Sequence, residues 1–151
     1  MEVQRCHIDE LNGLGGYEFG AALGTSGTHE SGTNCIECHM TETAADTTGG
    51  HTWVASLDGC LTCHADATDY DVNGAITEIE ALVAELHALL VAEGVIDSEG
   101  HAVSGRYSAT VGGSLWNYIL IEEEDMSMGI HNPAYAKVLL NNSITALEAL
   151  P

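Results

Sequence analysis

The chain has 151 residues, with three basic side chains against twenty-three acidic ones and a formal net charge of −20. That length fits one domain, and the charge excludes nucleic acid and anionic membrane surfaces as natural partners. No stretch approaches the length of a membrane span, so membrane insertion is not expected, and residues 1–20 carry no basic start followed by an apolar run.

Residues 1–34 are rich in Gly, Thr and Ser and read as loop. Their informative point is Cys6-His7, with Val3 where a first cysteine of a Cys-x-x-Cys-His block would stand. Three readings compete: a haem held through Cys6 alone with His7 as ligand, a site whose first cysteine stood before Met1, or a stray thiol beside a surface histidine. An odd cysteine needs an account, which favours the haem.

Two complete blocks follow, Cys35-Ile36-Glu37-Cys38-His39 and Cys60-Leu61-Thr62-Cys63-His64. Two thiols separated by two residues lie on one turn of chain, add to the two vinyl groups of a haem, and leave the next imidazole beneath the iron. Cys35, Cys38, Cys60 and Cys63 are the expected thioether anchors, with His39 and His64 as proximal ligands. A tetrahedral zinc site or a pair of disulfides could use the cysteines, but neither needs a histidine directly after each second cysteine. Two haem c groups are expected, and a third at Cys6-His7. Haem c is attached outside the cytoplasm, so the expected compartment is periplasmic or extracellular.

Residues 41–57 form a polar linker in which Trp53 is placed to pack on a porphyrin. From Asp71 the pattern changes. Ile76, Ile79, Leu82, Val83, Leu86, Leu89 and Leu90 recur at helical spacing, which predicts a helix over 74–93 with Asp71 or Asn73 as cap and Gly94 as stop. A turn region over 94–113 precedes a helix over about 115–124, capped by Ser114 and running into Glu122, Glu123, Glu124 and Asp125. That charge run reads as a solvated face, although acids at a helix C-terminus also hint at a cation nearby. Pro133 opens a third helix with Tyr135, Val138, Leu139, Ile144 and Leu147 facing inward. The fold expected is mainly α with extensive loop. A haem-packed region over 1–70 with short helices joins a helical layer of about three helices over 71–151, as one domain.

Electron-transfer haems usually have both axial positions filled by protein. With His39, His64 and His7 proximal, distal ligands must come from His29, His51, His87, His101 and His131. His131 is the foremost candidate because Asn132-Pro133 fix its approach to a helix start. His29 and His51 come next, flanking the first block in glycine-rich loop. His87 reads as a core histidine on the Val83 and Leu90 stripe, and His101 as solvent-exposed.

The stretch from His29 to Met40 together with His51-Thr52-Trp53 resembles haem regions of the multihaem cytochromes related to cytochrome c nitrite reductase and hydroxylamine oxidoreductase. Trp116-Asn117-Tyr118, the run from Glu124 through His131-Asn132-Pro133-Ala134 to Tyr135, and Leu139-Leu140 are similar to the closing helical region of that superfamily. The resemblance implies distal-ligand roles for His131, His29 and His51. It does not carry catalysis, since neither block ends in Cys-Lys and the haem sites are too few. The expectation is therefore an electron carrier rather than an enzyme, serving redox partner proteins such as other multihaem cytochromes. Two alternatives stay open: a homopolymeric extracellular cytochrome filament, and a small haem reductase of nitrogen or sulfur oxides.

Overall fold

The computed structural model describes residues 9–20, 23, 29, 34–44 and 47–151; Cys6 and His7 lie outside them. The described chain is mainly helical, with no strand among the described residues. Two short helices carry the cysteine blocks, α1 (Cys35–His39) and α2 (Leu57–Cys60). Three longer ones follow, α3 (Ala75–Ala92), α4 (Ala109–Ile119) and α5 (Pro133–Glu148).

Helix α3 starts where Asp71 accepts hydrogen bonds from the backbone N–H groups of Ile76 (2.7 Å) and Thr77 (3.2 Å), and ends before Gly94, whose φ of 70° stops it. Its buried face is Ile79, Val83, Leu86 and Leu90. Helix α5 starts at Pro133, and the Asn132 side chain accepts from the N–H of Tyr135. Val138, expected inside, is exposed; Ala136, Leu140 and Ser143 are buried instead, because the stripe that meets α3 and α4 runs one residue round from Val138.

Helix α4 differs most from the sequence expectation. It begins after Ser108, whose side chain accepts from the N–H of Val111, and Ser114 is a buried interior residue. The Gly112-Gly113 pair that reads as a turn is helical. A Cβ at Gly113 would stand 2.2 Å from the Tyr17 ring, so the missing side chain makes room for the N-terminal arm. After Ile119 the helix widens into a π turn, Leu120–Glu124, where the Asp125 N–H reaches the Leu120 carbonyl at 2.8 Å.

α5 packs against both α3 and α4. Every buried apolar side chain among the described residues belongs to 79–147, including Val95, Ile96, Val111, Tyr118, Leu120, Ile121, Tyr135, Leu139 and Leu140. At about 1.5–3 kcal/mol for each large apolar side chain buried, this burial is the chief stabilising contribution among the described residues. Residues 34–70 do not share that property. Among those described, only Gly49 and Ser56 are buried, while Ile36, Trp53, Val54, Leu61 and Tyr70 are exposed.

The arm over residues 9–20 is fastened to the helical layer by polar side chains. Buried Asn117 accepts from Tyr17 N–H (2.6 Å) and donates to Tyr17 O (2.9 Å), as a neighbouring strand would, and its amide also reaches Ser143 Oγ. Trp116 Nε1 donates to Gly15 O, and Gly16 N–H to the Tyr135 hydroxyl. Asn117→Ala leaves the Tyr17 groups without these partners, at an expected cost of about 1–3 kcal/mol. Amide hydrogen exchange should then accelerate at Gly16 and Tyr17 while the amides of α3 keep their protection.

Candidate functional site

The local sequence forms α1 through a capping box: Asn34 Oδ1 accepts from Ile36 N–H (3.0 Å) and Glu37 Oε2 accepts from Asn34 N–H (3.1 Å). One turn then sets Cys35 and Cys38 on a common face, with His39 next to them. In the second block Ser56 caps α2, and the N–H groups of Cys63 and His64 both bond to Cys60 O, continuing the turn through the motif. The two blocks touch. Ser56 N–H donates to Cys38 O at 3.3 Å, and a Cβ on Gly59 would stand 2.7 Å from the Glu37 carbonyl, so only glycine lets them approach this closely.

All four thiols of the two blocks are free, so no disulfide joins them. Nor do they assemble a zinc site. Among the described residues, the groups that bring three possible ligand atoms within 4.8 Å of one another are Glu10, Asp125, His131 and Asp97, Glu99, His101, and neither contains a cysteine. Burial, and then the neighbouring Cys38, push the Cys60 thiol up from its ordinary value.

Four of the histidines lie in two close pairs. The His39 and His131 rings lie 6.4 Å apart between centroids with planes 23° from parallel; the His29 and His64 rings are also 6.4 Å apart, with planes 85° apart. Two imidazoles bound on opposite sides of one metal, with nitrogen–metal bonds of about 2.0 Å, have ring centres roughly 6.3 Å apart. Both pairs have that separation, and each combines one Cys-x-x-Cys-His histidine with one from elsewhere in the chain.

In three of these four histidines Nδ1 is engaged. Nδ1 of His39 meets Trp53 O at 2.9 Å, Nδ1 of His29 meets Ile130 O at 2.7 Å, and Nδ1 of His131 meets Asp125 Oδ1 at 2.5 Å. An Nδ1–H donated to an oxygen fixes the tautomer and leaves Nε2 as the lone-pair nitrogen, the arrangement metal-binding histidines commonly have. Trp53 takes a left-handed φ of 60° to deliver its carbonyl, and its ring stays exposed. His51 is exposed and faces no histidine among the described residues. His87 is half-buried beside Tyr118, lining an open cavity of about 490 Å³ with Glu80, Val83 and Met128. His101 is exposed next to Asp97 and Glu99.

Asp125 corrects the reading of the acidic run as a solvated face. It is 1 % exposed, and the π turn places it inside while Glu122 and Glu123 stay outside. Its carboxylate accepts from the N–H groups of Ser127 (3.2 Å) and Gly129 (2.8 Å) and from the Ser127 hydroxyl, besides meeting His131. The loop it gathers holds Met126 and Met128 at positive φ, a conformation costing an L-residue roughly 1–2 kcal/mol. Gly129, also at positive φ, leaves space that Ile79 and Ala136 fill. Of the four acids at the end of this helix, Asp125 is thus accounted for by donors from the following loop.

Beside Asp125 lies Glu10, fully buried, with neither carboxyl oxygen in hydrogen-bonding geometry with a described partner. Burial, and then its contact with Asp125, push its pKa up to about 10, so it is protonated at neutral pH. Burial also acts to raise Asp125, but its bond with His131, its contact with Glu10 and its bond with Ser127 outweigh it and hold that carboxyl below its usual range. Sequence reading gave Glu10 no role and took Asp125 only as the end of an acidic run, read as a solvated face with a hint of a nearby cation. A local signal existed for Asp125, since Asp-x-Ser favours a side-chain turn onto the N–H two residues on; a lone Glu10 in a glycine-rich arm offers none.

A carboxyl raised in the folded state stabilises the fold most below its unfolded pKa, and that stability is lost as pH rises towards the folded value. Wild-type stability should therefore decline between about pH 4.5 and pH 10, with a contribution from Glu10 of at most about 1.4 kcal/mol per pH unit. Glu10→Gln removes that contribution, and denaturant titrations across the window should show a flatter profile. The chain matches no protein-family model, and neither the curated proteins nor the solved structures hold a match to it.

Proposed function

We propose that this chain is a small exported multihaem cytochrome c that carries electrons, with His39 and His131 as the axial ligands of one iron and His64 and His29 as those of a second. The observation that carries the proposal is the pair of 6.4 Å histidine separations, each anchored on a Cys-x-x-Cys-His block. Three further features support it. The thiols are free and do not converge on a common centre. The Nδ1 atoms of His29, His39 and His131 are turned to oxygen acceptors, away from an iron-binding Nε2. The exposed Ile36, Trp53, Val54 and Leu61 give residues 34–70 an apolar surface that a porphyrin would cover.

When bound, haem supplies reversible one-electron chemistry at its iron. The chain's own part is to fix that group and tune it. Cys35, Cys38, Cys60 and Cys63 anchor it covalently, and the backbone carbonyls of Trp53 and Ile130 orient imidazoles. Two protein ligands per iron leave no coordination position for a substrate, which favours a carrier over a reductase. The net charge of −20 favours the ferric state, hence low potentials, and suits docking to a basic face of a redox partner. Cys6 and His7 belong to the same proposal as the attachment point of a third haem, and the kinship with the nitrite reductase superfamily's closing region remains part of it. No helix among the described residues is long and apolar enough to cross a membrane.

Intact mass with a reduced pyridine-haemochrome spectrum tests the proposal: two covalent haems are expected from the described sites, three if Cys6-His7 is also used, and none would refute it. Ligand variants refine the test. The reduced wild-type protein should bind no carbon monoxide, whereas His131→Ala and His29→Ala should each bind one equivalent per chain and show one high-spin haem. Carbon monoxide binding that neither substitution increases would exclude the ligand pairs.

A further inference from the structure

We infer that Asp125 separates the two irons in potential, its carboxylate making the His39/His131 site the lower of the two. The inference rests on the axial pairs proposed above. It starts from an inequality in what the distal imidazoles lean on. His131 Nδ1 meets a carboxylate oxygen at 2.5 Å, with Ser127 Oγ at 3.1 Å, whereas His29 Nδ1 meets the neutral backbone carbonyl of Ile130 at 2.7 Å. On the proximal side of the first site, His39 also leans on a neutral carbonyl, that of Trp53.

Asp125 acts here as an anion. The Ser127 N–H, Ser127 hydroxyl, Gly129 N–H and His131 ring all point donors at it, a pattern that only an acceptor satisfies. At 1 % exposure its charge is poorly screened by water. A carboxylate draws the Nδ1 proton more strongly than a carbonyl does, so the imidazole becomes a more basic ligand and favours the higher oxidation state. The charge acts in the same direction through space. Both effects lower the potential at His131, and neither has a counterpart among the contacts of His29 with the described residues. Asp125 is a positioning residue: it acts through His131 and does not itself touch the bound group.

The test is a potentiometric titration of the haem-loaded protein, with haem content and the low-spin bis-histidine spectrum recorded on the same sample. An absence of haem or of that spectrum in the wild type would defeat the ligand assignment itself. With both present, Asp125→Asn should raise one midpoint and leave the other in place. Asp125→Glu, which keeps the carboxylate, should return that midpoint towards the wild-type value. Unchanged midpoints in Asp125→Asn, equal shifts of both, or the same rise in Asp125→Glu would overturn the inference. If Asp125→Asn loses its sixth ligand, the wild type decides: NMR of partly reduced samples should assign the lower midpoint to the haem bound at Cys35 and Cys38. The reverse order, or equal midpoints, counts against Asp125.

Discussion

Four hydrogen bonds converge on the buried carboxylate of Asp125, and the geometry around both histidine pairs depends on them. They close residues 125–131 into a tight loop in spite of two methionines at positive φ. That loop orients His131 through Asp125 itself, and it supplies the Ile130 carbonyl that holds His29. One side chain therefore governs one imidazole directly and a second through the adjacent backbone. The π turn before it is part of the same arrangement, since it directs Asp125 inward from a run in which Glu122 and Glu123 are exposed.

The helical layer gives this loop a rigid base. Gly129 packs against Ile79 of α3 and Ala136 of α5, so the loop sits on the core rather than above it. Asn132, at the start of α5, also donates to the carbonyls of Glu10 and Leu11, and Asn117 does comparable work for Tyr17. The N-terminal arm is thus ordered by side-chain amides that take the place of a sheet partner. Such contacts need polar residues buried on the helices, and Asn117, Asn132, Ser114 and Ser143 are all fully buried.

Much of this was legible in the sequence where a local rule governs. The helical spacing of Ile79, Val83, Leu86 and Leu90 gives α3, and Asn132-Pro133 gives the start of α5. The two Cys-x-x-Cys-His blocks name the proposed attachment residues without any fold. What was not legible depends on distant neighbours. Gly112-Gly113 reads as a turn until the Tyr17 ring is seen to need the space, which moves the start of α4 from Ser114 to Ser108. Asp125 reads as the last of four solvated acids until the π turn directs it inward. Which histidine faces which cannot be deduced from spacing, because His29 and His131 are brought to their partners by tertiary packing.

The contrast between the two halves has a consequence for biogenesis. Residues 34–70 bury almost nothing of their own, while the layer from 75 onward has a full core. On the function proposed here, a thioether-forming apparatus would meet the cysteine blocks on an exposed segment, with His131 carried by the half that has a core. Haem attachment, as proposed, would supply the missing apolar surface, and the paired imidazoles would complete the coordination. Maturation in this order would be a templated collapse: the folded half would provide the mould, and the haem the material around which the other half sets.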